Sequence, residues 1–537
     1  MRRASWLLVS LSLCAIDVAF VGCASDQGAD PKAANPQPAR NDGGTEDDGE
    51  GSIPDDQPVT EDKDAEEMHT RADLAAETMM LRYWSKIGAP TYHSGYWTYA
   101  HDWNVILDAV ERRGPEAYAG TIRMFYDAQA ARGWIVDFYD DEEWMTLTLI
   151  HAYQLTKDET YLKKAQELFN DIRGGWDETC CGAVKGGIWW DKKHTAKVTA
   201  SNGGAILAGV LLYEITSDGG YLASARKFFD YWSKNMVDSA TGHVYDNIDA
   251  SNGKINKEWS FTYNEGLMIG ATVALARVEK DPALLQFAQL IGSYMLAKET
   301  EMTPLGTVLS DGPCGSKGGN DGEQFKGIGA RYLADLFKAD PSKVEFKDVL
   351  VRSSNAIWTL ARDPSTNLVS CYWPGPHQPD FTSVNALSSA AMTLAVTAQL
   401  MGKAVPRPPL EYQAEEATLH GVGLEASHVG FEGWGYLAGW GTDGQWIDFP
   451  LNVPTAGSYD IEFRYSSADD AARELYLNGA TVQARFDFPK TGGYDNYLIV
   501  TKTVTLKAGQ NGLSVIFRPS SGSKGYLNLD RIKLFPK

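Results

Sequence analysis

Between about residue 66 and residue 401, apolar positions recur at i, i+3, i+4 and i+7 in one segment after another, the spacing that gathers them on one face of a helix. The pattern predicts twelve helices, over 66–86, 101–112, 115–131, 140–156, 159–173, 197–215, 219–235, 262–277, 281–298, 325–337, 342–361 and 383–401. Their connections alternate in length. Short links such as Thr156-Lys157-Asp158, Ser217-Asp218-Gly219 and Lys280-Asp281-Pro282 join the members of a pair. Long ones at 87–100, 132–139, 174–196, 236–261, 299–324 and 362–382 join one pair to the next. Six helical hairpins with every long loop on the same side predict an all-α (α/α)6 toroid over 66–403, with one functional face.

After Met401 the period changes. Pro406, Pro408 and Pro409 mark a linker over 404–410. From 411 to 537, alternating runs such as Ser458-Tyr459-Asp460-Ile461-Glu462-Phe463-Arg464-Tyr465, separated by Gly and Asn turns, predict an all-β sandwich of jelly-roll type. The fold class expected is therefore multidomain, a toroid followed by a sandwich.

Ahead of the toroid, residues 24–65 carry almost no large apolar side chain and read as a solvated acidic tether. The net charge of −21 is concentrated there: fourteen acidic residues stand against three basic ones between Ala24 and Glu67. No basic stripe offsets that charge, which excludes nucleic acid as a partner. Arg2 and Arg3 followed by the apolar run Trp6 to Phe20 have the order of a secretory signal over 1–23. Its end, Phe20-Val21-Gly22-Cys23, resembles a bacterial lipoprotein cleavage site with Cys23 as the acylated residue. The expectation is an exported monomer at the cell surface or outer membrane, held to the membrane only by that lipid anchor, and otherwise secreted. Export permits disulfides among Cys180, Cys181, Cys314 and Cys371, and because adjacent cysteines pair with difficulty, a bridge from 180 or 181 to Cys314 or Cys371 is expected.

The predicted long loops collect Trp97, Trp134, Trp176, Trp189, Trp190, Trp259 and Trp373. Indoles stack on the flat C–H faces of sugar rings, and they also plug loop cores; so many on one predicted face favour a glycan groove. Asp140-Asp141-Glu142-Glu143 opens the fourth predicted helix. Acids in a first turn oppose the helix dipole, which alone would account for them. Glycoside hydrolysis with retention needs two carboxyls about 5 Å apart, and neighbours at a helix start can just meet that distance.

The segment Tyr139-Asp140-Asp141-Glu142-Glu143-Trp144 resembles the catalytic motif of glycoside hydrolase family 76, retaining endo-α-1,6-mannanases on an (α/α)6 toroid. The resemblance continues through Gly186-Gly187-Ile188-Trp189-Trp190, Ala200-Ser201-Asn202-Gly203, Phe261-Thr262-Tyr263-Asn264-Glu265-Gly266 and Phe325-Lys326-Gly327-Ile328. It implies Asp140 as nucleophile and Asp141 as acid/base, no catalytic cofactor, α-mannan or a mannosyl glycan as substrate, and Trp144, Trp189, Trp190, Asn202, Tyr263, Asn264 and Glu265 as substrate contacts. Met145 and Glu265 depart from the family, which often has Trp and Gln there; a carboxylate at 265 would add charge near the reaction centre.

The sandwich resembles carbohydrate-binding modules of families 35 and 6, from Tyr412-Gln413-Ala414-Glu415-Glu416 through Gly439-Trp440-Gly441-Thr442-Asp443-Gly444-Gln445-Trp446 to Leu527-Asn528-Leu529-Asp530-Arg531-Ile532. The resemblance implies a structural Ca²⁺ held by Gln413, Glu415 and Asp530, and glycan contacts at Tyr436, Tyr497 and Asn528. Two rival functions fit the same residues: a transglycosidase using the two aspartates, and a non-catalytic glycan-capturing lipoprotein, which would have no need of adjacent carboxylates.

Overall fold

The computed structural model describes residues 59–87, 95–114, 118–316, 319–404, 411–453 and 455–537. The expectations for the signal segment, Cys23 and most of the tether and linker lie outside the described residues. Twelve helices form among the described residues: α1 (Val59–Ile87), α2 (Tyr96–Arg113), α3 (Ala119–Ala130), α4 (Tyr139–Thr156), α5 (Glu159–Gly174), α6 (Thr199–Thr216), α7 (Gly219–Asn235), α8 (Thr262–Glu279), α9 (Pro282–Lys298), α10 (Gly322–Ala339), α11 (Val344–Ala356) and α12 (Val384–Met401). The first helix reaches back into the segment read as tether.

The even-numbered helices close a ring, α2 on α4, α4 on α6, α6 on α8, α8 on α10, α10 on α12 and α12 on α2, and the odd-numbered helices pack outside them. Inner helices are surrounded and correspondingly apolar on most faces, as in α6 and α12. Outer helices bury one stripe, such as Tyr161, Leu162, Ala165, Leu168, Phe169 and Ile172 of α5. Where the ring closes, α1 packs on α12, and His69 Nε2 meets the carbonyl of Gly402 at 3.1 Å.

Three of the short links share one device. Lys157, Ser217 and Lys280 adopt left-handed conformations, with φ of 58°, 59° and 54°, and the next residue, Asp158, Asp218 or Asp281, caps the following helix. Each cap accepts a backbone N–H at 2.8 Å, from Thr160, Gly220 and Ala283. The reversal is thus completed in two residues, so all inner helices run the same way and begin at the end that carries the long loops. Two small antiparallel pairs tie those loops: β1 (Ala196–Val198) on β2 (Asn247–Asp249), and β3 (Thr300–Thr303) on β4 (Gly306–Leu309).

The cysteines pair differently from the sequence expectation. Cys314 and Cys371, with Cα atoms 5.7 Å apart, bridge each other, which leaves Cys180 to pair with Cys181.

The second domain comprises β5 (Glu411–Gln413), β6 (Thr418–His420), β7 (Gly423–Glu425), β8 (Tyr436–Ala438), β9 (Gln445–Val453), β10 (Gly457–Ser467), β11 (Ala471–Leu477), β12 (Ala480–Phe488), β13 (Gly493–Leu506), β14 (Gly509–Phe517) and β15 (Asn528–Pro536). One sheet has the order β13-β10-β15-β8-β7 with β5 also on β15, and the other β12-β11-β14-β9-β6. Ile461, Phe463 and Tyr465 of β10, and Ile447, Phe449 and Leu451 of β9, alternate inward to form the core between the sheets.

Candidate active site

The inner-helix N-termini surround a cleft of about 550 Å³, whose wall includes Trp97, Phe138, Asp140, Asp141, Trp144, Trp190, Asp246, Trp259, Tyr263, Asp321 and Phe325. No lysine or arginine is among its lining residues. Four carboxyls and six aromatic rings besides Tyr263 suit a neutral, hydroxyl-rich ligand and oppose a phosphorylated one.

Asp140 and Asp141 occupy the first turn of α4, both half-buried. The strand-like approach to that turn is fixed from outside: the N–H of Tyr139 donates to the carbonyl of Trp190 at 2.8 Å, and the N–H of Lys192 to the carbonyl of Asp137 at 2.9 Å. Glu142 is fully buried and accepts from the Val136 N–H and from Lys192 Nζ, each at 2.9 Å, while Lys192 also pairs with Asp171. This acid therefore clamps two loops and is not among the residues lining the cleft. Glu143 is buried beneath, pressed so closely on α6 that a Cβ at Gly204 would lie 2.2 Å from its Oε2.

The two aspartates differ in their partners. Asp140 Oδ2 accepts the Trp190 indole N–H at 3.1 Å and its Oδ1 accepts the Asp141 backbone N–H at 3.1 Å. The Asp141 side chain accepts no hydrogen bond among the described residues. Burial raises the pKa of both; for Asp140 those two donors pull back toward the ionised form, whereas for Asp141 the charges of Asp140, Asp321 and Glu142 push further upward. The environment thus makes Asp140 the more readily ionised of the two and Asp141 the one that keeps its proton longer.

Of the residues singled out in the sequence, Asp140, Asp141, Trp144, Trp190 and Tyr263 line the cleft. Direct glycan contact is corrected for four others, which stand behind the wall. Trp189 is buried, with its ring stacked on His194 at 4.7 Å and covered by Lys197 Nζ at 4.6 Å. Asn202 is buried and holds the aromatic loop, accepting from the Ile188 N–H at 3.1 Å and donating to the Val198 carbonyl at 2.8 Å. Asn264 is buried and donates to Asp246 Oδ1 at 2.8 Å. Glu265 is buried away from the cleft, accepting from Ser260 Oγ at 3.0 Å, with burial and then the charge of Glu299 raising its pKa. Among the loop tryptophans, Trp97, Trp190 and Trp259 reach the cleft, whereas Trp176 packs on Phe228 and Trp373 is fully buried.

Sequence reasoning missed Asp246 and Asp321. Asp246 precedes β2 and accepts from Asn264, Tyr263 and Asn247; burial raises its pKa despite those donors. Asp321 sits at the start of α10, within reach of Trp97. Neither carries a local motif: each becomes visible only when its loop folds over the ring.

In the sandwich, the buried Glu415 accepts the Trp434 N–H through Oε1 at 2.9 Å, and its Oε2 and the Oε1 of Gln413 are buried without a hydrogen-bond partner. Asp530 accepts from the Glu432 N–H at 2.9 Å and pairs with Arg464. Tyr436 is corrected as a stacking platform: it is fully buried, its hydroxyl engaged by Ser427 and the His428 N–H. Asn528 is likewise buried, and Tyr497 has the Arg464 guanidinium 4.4 Å over its ring.

Comparison with known proteins places this geometry. The model of glycosyl hydrolase family 76 matches residues 67–411, and that of the family 6 carbohydrate binding module matches residues 413–535. A solved structure of an α-1,6-mannanase of Salegentibacter sp., an inactive variant with two consecutive aspartates changed to asparagine, in complex with α-1,6-mannotriose, is 27% identical. It covers 62% of this chain and 99% of that one at a TM-score of 0.56. The Lin0763 protein of Listeria innocua is 26% identical over 62% of this chain and 97% of its own, with a TM-score of 0.56. Among curated relatives, the exo-beta-D-glucosaminidase of Amycolatopsis orientalis is 31% identical over 131 residues, which are 24% of this chain and only 12% of that protein. The match to the family model runs through every inner helix and the paired aspartates, and the chain belongs to glycosyl hydrolase family 76, with a family 6 carbohydrate-binding module behind the toroid.

Proposed function

We propose that this chain is a retaining, endo-acting glycoside hydrolase that cleaves α-1,6-mannosidic linkages in mannan. The observation that carries the reading is the unequal pair at the start of α4: Asp140 held by two donors, Asp141 by none, in a cleft walled by aromatic rings. The Asp140 carboxylate attacks the anomeric carbon while the Asp141 carboxylic acid protonates the departing glycosidic oxygen. Asp141, now ionised, takes a proton from the incoming water, which displaces Asp140 and restores the configuration. The Salegentibacter enzyme is inactive with two consecutive aspartates replaced together, which supports an essential aspartate pair. Exposed Trp190 and Trp259 offer stacking surfaces for sugars on either side of the cleaved bond, in keeping with attack inside a chain.

The test is to incubate the full chain with linear α-1,6-mannan and follow the anomer released first. An initial β-anomer would contradict retention, monosaccharide alone would contradict endo action, and transfer to added acceptor in place of hydrolysis would make the chain a transglycosidase. Asp140→Asn and Asp141→Asn should each lower turnover by several orders of magnitude, and a substrate with a good leaving group should rescue only Asp141→Asn.

For the sandwich we propose glycan binding with a structural Ca²⁺. The two orphaned oxygens of Gln413 and Glu415 form a hard, all-oxygen donor set that fits this ion, which Asp530 would share with Arg464. Acylation at Cys23 is proposed from the sequence motif alone; Cys23→Ala should release the protein from membranes, and continued membrane fractionation would exclude it.

A further inference from the structure

Beneath the cleft, a second cavity of about 240 Å³ runs along the ring axis toward the opposite end. Trp144 lines both spaces. His101, Asn104 and Glu111 line the lower cavity, and with the buried Asp108 they follow one another at helical spacing on a single face of α2. His101 is 4% exposed, lines the cavity, and has no hydrogen-bond partner for either ring nitrogen. Such a group facing an internal space marks a place where something polar belongs.

At the outer end of the stripe, His151 of α4 faces Asp108 and Glu111, and one ligand atom from each of the three lies within 4.8 Å of the others. The tautomer of His151 follows from its neighbours. Asn104 Nδ2 donates to the Ala100 carbonyl at 3.2 Å and to Thr148 Oγ1 at 2.7 Å, so Asn104 Oδ1 is the atom left facing His151 Nδ1 at 3.1 Å. An oxygen there requires a proton on Nδ1. In the neutral ring Nε2 then carries a lone pair, and it points at the Glu111 carboxylate from 3.7 Å. Glu111 Oε2 also accepts from Gln399 Nε2 at 2.9 Å, and the facing arrangement is stable in two ways, with a proton on Nε2 that makes an ion pair or with a metal cation between the two groups. The fixed Nδ1–H on an amide oxygen is also the outer support that orients metal-binding histidines. Asp108 is held by both terminal nitrogens of Arg331, at 2.9 and 2.6 Å, which leaves one lone pair on each oxygen and fixes its carboxylate. Glu111 is exposed at the rim, so an ion has a path in.

We propose that Asp108, Glu111 and His151 form a divalent transition-metal site of the Zn²⁺ class that clips α2 to α4 at the end of the ring away from the cleft. One imidazole nitrogen and two carboxylate oxygens, with solvent completing the shell, is a donor set suited to Zn²⁺. Bonds of about 2.0–2.2 Å need ligand atoms roughly 3.3–3.6 Å apart, so side-chain adjustments of about 1 Å close the site. At a helical rise of about 1.5 Å per residue, His151 lies roughly 15 Å along α4 from Asp141, too far for the ion to touch substrate. Its role is to hold the ring, and ion bound only by the folded chain raises stability.

The full chain, stripped with a chelator and dialysed into metal-free buffer, is titrated with Zn²⁺ by calorimetry and melted with and without the ion. One equivalent should bind and raise Tm, and His151→Ala, His151→Gln and Glu111→Gln should each weaken that equivalent at least tenfold and remove the Tm shift. All four folded-domain cysteines are paired, so no thiol competes. The partly exposed pairs His420–Asp448 and His428–Asp495 are controls: His420→Ala and His428→Ala should keep the equivalent. Melting in chelator verifies that each variant folds. Absence of binding in the unaltered chain, or an unchanged equivalent in folded His151→Gln, overturns the site and leaves His151 and Glu111 as an ion pair only.

Discussion

The indole N–H of Trp190 donates to Asp140 Oδ2 at 3.1 Å, joining the aromatic loop to the first turn of α4. Trp190 also packs against Phe138 in a tilted arrangement, ring centroids 4.9 Å apart, so an aromatic ring can be kept while its donor is removed. Trp190→Phe should lower kcat by about 10- to 100-fold, the worth of one hydrogen bond to a charged group, roughly 1.5–3 kcal/mol. Losing a donor to the ionised form raises the Asp140 pKa, so the acidic limb of the kcat/KM profile should move to higher pH. An unmoved limb would show that the contact positions the ring without tuning the carboxyl.

Asp246 acts on Asp140 in the opposite sense, because its negative charge raises the Asp140 pKa. Asp246→Asn should therefore shift the acidic limb to lower pH, while kcat/KM falls by about tenfold as the acceptor that holds Tyr263 and Asn264 is weakened. The two substitutions move the same limb in opposite directions, a result that a general loosening of the cleft would not produce.

Gly204 permits α6 to approach Glu143. Gly204→Ala places a methyl where Glu143 Oε2 lies, and overpacking of a closed core costs about 1–3 kcal/mol. The variant should melt at lower temperature, with turnover reduced because Glu143 lies just inside Asp140 and Asp141 on α4. Unchanged melting would mean that Glu143 has room to move.

Chelator should lower the melting temperature of the sandwich, and Asp530→Ala should make melting insensitive to chelator if the ion links Asp530 to Gln413 and Glu415. Equal chelator sensitivity in Asp530→Ala would remove that residue from the proposed Ca²⁺ site and leave it as the partner of Arg464.

Much of the architecture was legible in the sequence because helical periodicity and short Asp-capped links are local signals. Helices α4, α7 and α12 begin and end within a residue or so of their predicted limits. What was lost was direction and depth. Asn202 and Glu265 stand in motif segments that border the cleft, yet helix rotation turns them inward, and a residue's rotation about its helix is set by packing across the ring. Asp246 and Asp321 lie in loops whose course depends on contacts made far away in sequence, such as β1 on β2. The disulfides were misread for a related reason: the approach of Cys314 to Cys371 is a property of two folded loops.

A ring in which the first helix rests on the last has no obligatory starting point. His69 already meets Gly402, so a short peptide joining these neighbourhoods would cross little space, and an opening at Ser217 would fall in an exposed two-residue turn. The same toroid could then be written in a different hairpin order, with Asp140 and Asp141 near the end of the chain instead of near its beginning. What the cleft requires is that six helix starts face one another; the sequence in which the ribosome delivers them is a matter of descent.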